Sequence, residues 1–92
     1  MARGMTLLHD VGWRIRDNDL PGAAALLRAG VDRLRNGAVQ VPEVNQKRAA
    51  VALNQHDHGS PMWRLAVVLA SGKVTREDLR ILAEVAEALA DA

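Results

Sequence analysis

No cysteine occurs among the 92 residues. Disulfides, thiolate nucleophiles and Cys-ligated zinc are therefore excluded. Phenylalanine and tyrosine are also absent, and the aromatic residues are Trp13 and Trp63 alone. The core must then be aliphatic, with Leu, Val and Ala carrying the burial. Each Leu or Val contributes about 1.5–3 kcal/mol when fully buried. Hydroxyl side chains are scarce: Ser60, Ser71, Thr6 and Thr75. There is no G-x-S-x-G and no phosphate-cradling glycine loop. The expectation is a non-enzymatic chain with no catalytic residue, no cofactor and no metal ligand set. No apolar run reaches membrane-spanning length, and no signal-peptide core follows Arg3. A cytoplasmic protein without a membrane partner is expected.

Charge of one sign is lacking as well. The formal net charge is +1, with a slight basic excess in residues 1–48 and a slight acidic excess after them. That falls short of the basic footprint of a nucleic-acid binder. A chain of this size suits one domain, here residues 1–92. A domain so small buries roughly 60–65% of its unfolded surface. Its stability would gain from self-association or from docking on a partner.

What is present is helical patterning with clear punctuation. Helix 1 is expected from about Ala2 to Arg16. Leu7, Leu8, Val11, Ile15 and Met5 share one arc, and His9, Trp13 and Arg16 lie opposite. Asp19 is a candidate N-cap for helix 2, which is expected from Leu20 to about Asn36 and Gly37. Leu20, Ala24, Leu27, Val31 and Leu34 form its apolar seam. Ala23, Gly30 and Gly37 form a row of small residues where another helix can come close. Residues 38–41 are expected to be a linker rather than a strand, since no second strand is evident to pair with them. Pro42 opens helix 3, to about Gln55, which is polar in its first half.

Residues 60–72 carry the strongest signal. Ser60 is a candidate cap, Pro61 suits the first helical position, and Gly72 suits a left-handed stop. Between them only Arg64 and Ser71 are polar, so helix 4 is expected to be central and wrapped by its neighbours, with Trp63 in the core. In helix 5, Thr75 and Asp78 have capping-box spacing, and Val74 and Leu79 have that of a hydrophobic staple. Leu79, Leu82, Ala86 and Leu89 form one stripe, with Ile81, Val85 and Ala88 a second. Arg76, Arg80, Glu84, Glu87 and Asp91 are expected to face solvent.

Two resemblances accompany this pattern. Gln46 to Leu89 resembles a helix-turn-helix DNA-binding domain, with Lys47–Leu53 as its first helix and Val74–Leu89 as its closing helix. The resemblance implies a DNA-binding regulator whose reading helix is Met62–Ser71. Reading base edges needs polar side chains, and that helix offers Arg64. Helices 1 and 2 resemble one tetratricopeptide hairpin at Val11-Gly12, Ala23, Leu27 and Gly30. Such units stack in about three copies, and the chain holds one, so an ordinary antiparallel helical pair is expected.

His56-Asp57-His58 is the one cluster with ligand chemistry. A catalytic zinc needs three protein ligands and an orienting second shell. The loop is read as a solvated connection. A metal-binding loop at 56–58 is the third reading of the function, after an interaction module and a DNA-binding regulator. Trp13 carries more weight. It lies roughly opposite the apolar arc of helix 1, beside His9 and Arg16, which suits an interface hot spot. The expected fold is all-α, a compact bundle of about five helices with helix 4 central. The expected function is a helical interaction or assembly module that contacts a protein partner or a second copy through His9, Trp13 and Arg16. DNA regulation is the alternative.

Overall fold

The computed structural model describes residues 3–35 and 37–91. Within them the chain forms five helices and two short strands. These are α1 (Arg3–Arg16), α2 (Leu20–Arg33), β1 (Ala38–Gln40), α3 (Glu43–Ala52), α4 (Pro61–Ala70), β2 (Lys73–Thr75) and α5 (Arg76–Ala90). The all-α expectation holds. The expected start of helix 1 at Ala2 and the side chain of Met5 lie outside the described residues.

The helix ends follow local chemistry. The Asp19 carboxylate accepts a hydrogen bond from the Gly22 amide at 3.0 Å. Ser60 Oγ accepts from the Trp63 amide at 3.2 Å, and Pro61 occupies the first turn, where no donor is lost. At α5 the capping box closes in both directions: Thr75 Oγ1 accepts from the Asp78 amide, and Asp78 accepts from the Thr75 amide. Helix 2 stops earlier than its sequence pattern suggests. It ends at Arg33 with Leu34 as its cap, because the chain turns there to reach β1.

Residues 38–40 are a strand, not a linker. β1 pairs antiparallel with β2, placing Ala38 opposite Thr75, Val39 opposite Val74 and Gln40 opposite Lys73. The missing partner was the stretch between α4 and α5, too short to show a two-residue alternation. Gly72 adopts φ +88°, the left-handed turn that feeds β2, and its carbonyl accepts from the Val41 amide at 3.0 Å. The Gln46 side-chain Nε2 donates to the Val41 carbonyl at 2.9 Å, tying α3 to this junction. The chain thus contains two helix–strand–helix units, α2–β1–α3 and α4–β2–α5, joined through their strands.

The core gathers Leu8, Val11, Ala23, Leu27, Val31, Val41, Leu65, Val74, Leu79, Leu82 and Ala83. Val74 and Leu79, the expected staple, are both among its most buried members. The most extensive helix packing is between α2 and α5. Gly30 of α2 lies between α1 and α5: a Cβ there would sit 2.5 Å from Leu7 Cδ2 and 3.2 Å from Leu79 Cδ1, so those side chains would have to shift. An Arg28–Glu87 ion pair bridges α2 and α5, with donor–acceptor distances of 2.7 and 3.1 Å. Glu87 therefore does not simply face solvent. Arg76 is likewise anchored, its Nε donating to the Val31 carbonyl.

Helix 4 is central in connectivity, touching α1, α3, α5 and β2. It is not wrapped on all sides. Leu65 and Ala66 are buried, while Val67 is 40% exposed. Trp63 is only half-buried and lies outside the core. Its ring stands 4.1 Å from that of His58, tilted by 37°. In α5, Ile81 of the second stripe and Leu89 at the end of the first are similarly uncovered. A chain this short has too few elements to cover every apolar face.

Candidate functional site

The first turns of α1 turn Leu8 and Val11 into the core. Helical geometry then sends His9, Trp13 and Arg16, spaced at i, i+4 and i+7, to the other side. All three are exposed, and Trp13 keeps 51% of its surface open to water. They form one contact unit. Trp13 Nε1 donates to His9 Nε2 at 3.0 Å. The Arg16 guanidinium carbon lies 5.3 Å from the Trp13 ring centroid, within cation–π range. The indole is thus held from two directions while half of its surface stays open to water.

Beside this unit runs a groove of about 270 Å³ walled by α1, α3 and α4. Its floor and sides include Leu8, Ala49, Met62, Leu65, Ala66 and Leu69. His9, Trp13, Arg16 and Arg48 lie along its length, with Asn45 and Ala52 on the α3 side. Gly12 also lines it. A Cβ at Gly12 would meet Leu65 Cδ2 at 3.7 Å, an ordinary contact. The fold therefore has room for an alanine there, although a glycine inside a helix costs roughly 1 kcal/mol relative to alanine.

The three residues singled out by sequence are brought together. Arg48, Asn45 and Met62 were not anticipated as their neighbours. Arg48 reads in sequence as part of a solvated polar half-helix, and nothing local reveals which helix it faces. Met62 carried a signal, being apolar in the first turn of α4, but that signal could not distinguish a core position from a groove wall.

His56, Asp57 and His58 do not gather a ligand set. His58 instead packs against Trp63. Among the described residues no group of three His, Cys, Asp or Glu is placed to hold a metal ion. The Arg64 guanidinium of α4 is also engaged locally, Nε donating to the Gly59 carbonyl at 2.9 Å. Eight residues, 53–60, separate α3 from α4, against the three or four of a helix-turn-helix turn. No helix among the described residues is long and apolar enough to cross a membrane.

A larger hollow of about 490 Å³ lies between α1, α2, β1 and α5, lined by Leu7, Leu8, Gly30, Arg33, Leu34, Val39 and Leu79. It is mainly apolar, and Arg33 is its one charged lining residue among those described.

Comparison of the chain with protein-family models, with curated proteins and with solved structures finds no match.

Proposed function

We propose that this chain is a non-enzymatic, cytoplasmic interaction module that binds a protein partner, or a second copy of itself, along the groove between α1, α3 and α4. The observation that carries this reading is Trp13. It is a large aromatic left half-open beside an apolar groove, yet fixed by His9 and Arg16. An ordered amphipathic side chain loses little entropy on binding, and Trp and Arg dominate interface hot spots. Gly12 supports the same reading. Alanine at that position would favour the helix and fit the monomer, and glycine leaves the groove deeper.

The test is Trp13→Ala. The variant should stay folded by circular dichroism, because Trp13 contributes nothing to the core cluster. Its mass by sedimentation, or its capture of a partner bound by the natural chain, should drop sharply. Truncation of a central interface Trp often costs ~2 kcal/mol or more, a loss of about thirtyfold in affinity. A variant that associates as the natural chain does would overturn the proposal.

A further inference from the structure

The charge of the groove specifies the partner's chemistry. His9, Arg16 and Arg48 line it, and no carboxylate does so among the described residues. Among those residues Arg14, Arg28 and Lys47 each have one ion pair to an acidic side chain, Arg80 has two, and Arg16 and Arg48 have none. The last is also true of Arg33, Arg35, Arg64 and Arg76, but only Arg16 and Arg48 line this groove. The two guanidinium groups therefore offer planar, bidentate donors on either side of an apolar floor. The dimensions match as well. The lining residues run from Leu8 to Arg16 on α1, from Asn45 to Ala52 on α3 and from Met62 to Leu69 on α4. Each wall is about two helical turns, roughly 10 Å at 1.5 Å per residue. An amphipathic helix presents its anchors at i, i+3 or i+4, and i+7 over the same length.

We infer that the groove takes an acidic amphipathic helix, whose apolar anchors sit on Leu65, Leu69 and Met62 and whose carboxylates pair with Arg16 and Arg48. This rests on the interaction reading above and adds the identity of what binds. A phosphate backbone is the poorer occupant, because it presents charge without an apolar face for the floor to cover.

The experiment uses the full chain and two synthetic helical peptides of about 15 residues. Both carry leucines at i, i+4 and i+7. One has glutamates on its flanks, the other lysines. Binding is followed by the anisotropy of a fluorophore on the peptide. The acidic peptide should bind at least about tenfold more tightly than the basic one, and the difference should shrink as salt is raised. Arg48→Glu should weaken the acidic peptide by about tenfold. Arg16→Glu is the second variant, and Arg35→Glu, exposed outside the groove, should leave binding unchanged.

Equal affinity for the two peptides would overturn the inference. So would binding of neither peptide, or an acidic complex indifferent to both Arg48→Glu and Arg16→Glu. A DNA duplex that binds with Arg48 dependence while the acidic peptide does not would overturn it in favour of nucleic acid. Failure of the underlying reading has a separate signature. An acidic complex that depends on Arg48 yet ignores Trp13→Ala removes Trp13 as the anchor and leaves the acidic-helix inference standing. Sensitivity to Trp13→Ala without charge preference does the reverse.

Discussion

At the scale of single residues, the informative positions are those where the side chain does not serve the core. Trp13 is the clearest, and Gly12 has the sharper stability test. Gly12→Ala should raise stability by ~0.5–1 kcal/mol, because the new methyl meets Leu65 at an ordinary distance and the helix gains propensity. A thermal melt reads this directly. The same substitution makes the groove shallower, so it should not improve peptide binding. A lower melting temperature would show that α4 cannot accept the methyl. Gly72 is the opposite case. Its φ of +88° is a conformation that alanine adopts only under strain. Gly72→Ala should cost ~1–2 kcal/mol in chemical denaturation, and a cost near zero would mean the turn relaxes freely. His9, Trp13 and Arg16 were legible as a set because helix geometry alone places them, whatever surrounds α1. Trp63 was not. An apolar neighbourhood in sequence suggested core, yet its ring is spent on His58 at the surface.

At the scale of elements, α4 shows how far periodicity reaches. Its apolar surface correctly implied contacts with several neighbours, and it touches α1, α3, α5 and β2. Burial is concentrated at Leu65 and Ala66. Leu65→Ala should therefore cost ~2–5 kcal/mol, enough to threaten so small a domain. Leu69→Ala should cost less, since Leu69 is only partly buried and packs against the edge of the core. Equal losses in the two variants, measured by denaturant unfolding, would contradict the asymmetry. The caps at Asp19, Ser60 and Thr75 were legible because each depends on residues within three positions. The β1–β2 pair was not, because its two strands are short and distant in the chain.

For the molecule as a whole, ion pairs reinforce helices that the core already holds together: Arg28–Glu87 across α2 and α5, and the Arg80 pairs within α5. The hydrogen-bonded Arg28 guanidinium holds the Glu87 carboxyl below its ordinary range. Glu77 is lowered in the same way by Arg80, which also pairs with Glu84 at 2.6 Å. A depressed carboxylate contributes stability that is present above the unfolded-state value and is lost as pH falls through the folded-state value. The melting temperature should therefore fall on acidification through and below the ordinary carboxylate range. Glu87→Gln should lower it at neutral pH and reduce the size of the acid-induced drop. Identical pH profiles for the two proteins would show that the α2–α5 bridge contributes nothing to stability. All these side chains are well exposed, so added salt should weaken the effect.

Sequence by itself determined the helical class, the aliphatic core, the start of each capped helix, the stop at Gly72 and the displacement of Trp13 from the apolar arc of α1. Each of these follows from interactions within a turn or two of the chain, which neighbouring residues set without help. Tertiary structure alone decided that residues 38–40 become a strand, that α2 ends at Arg33, that α2 and α5 form the main pair, and that Ile81 and Leu89 stay uncovered. It also decided that Arg48 lines the same groove as Arg16 and Trp13. Those outcomes depend on which surfaces meet when distant segments pack. Which of several apolar faces of similar composition meet is a matter of how their side chains pack, and that is not visible in a linear pattern.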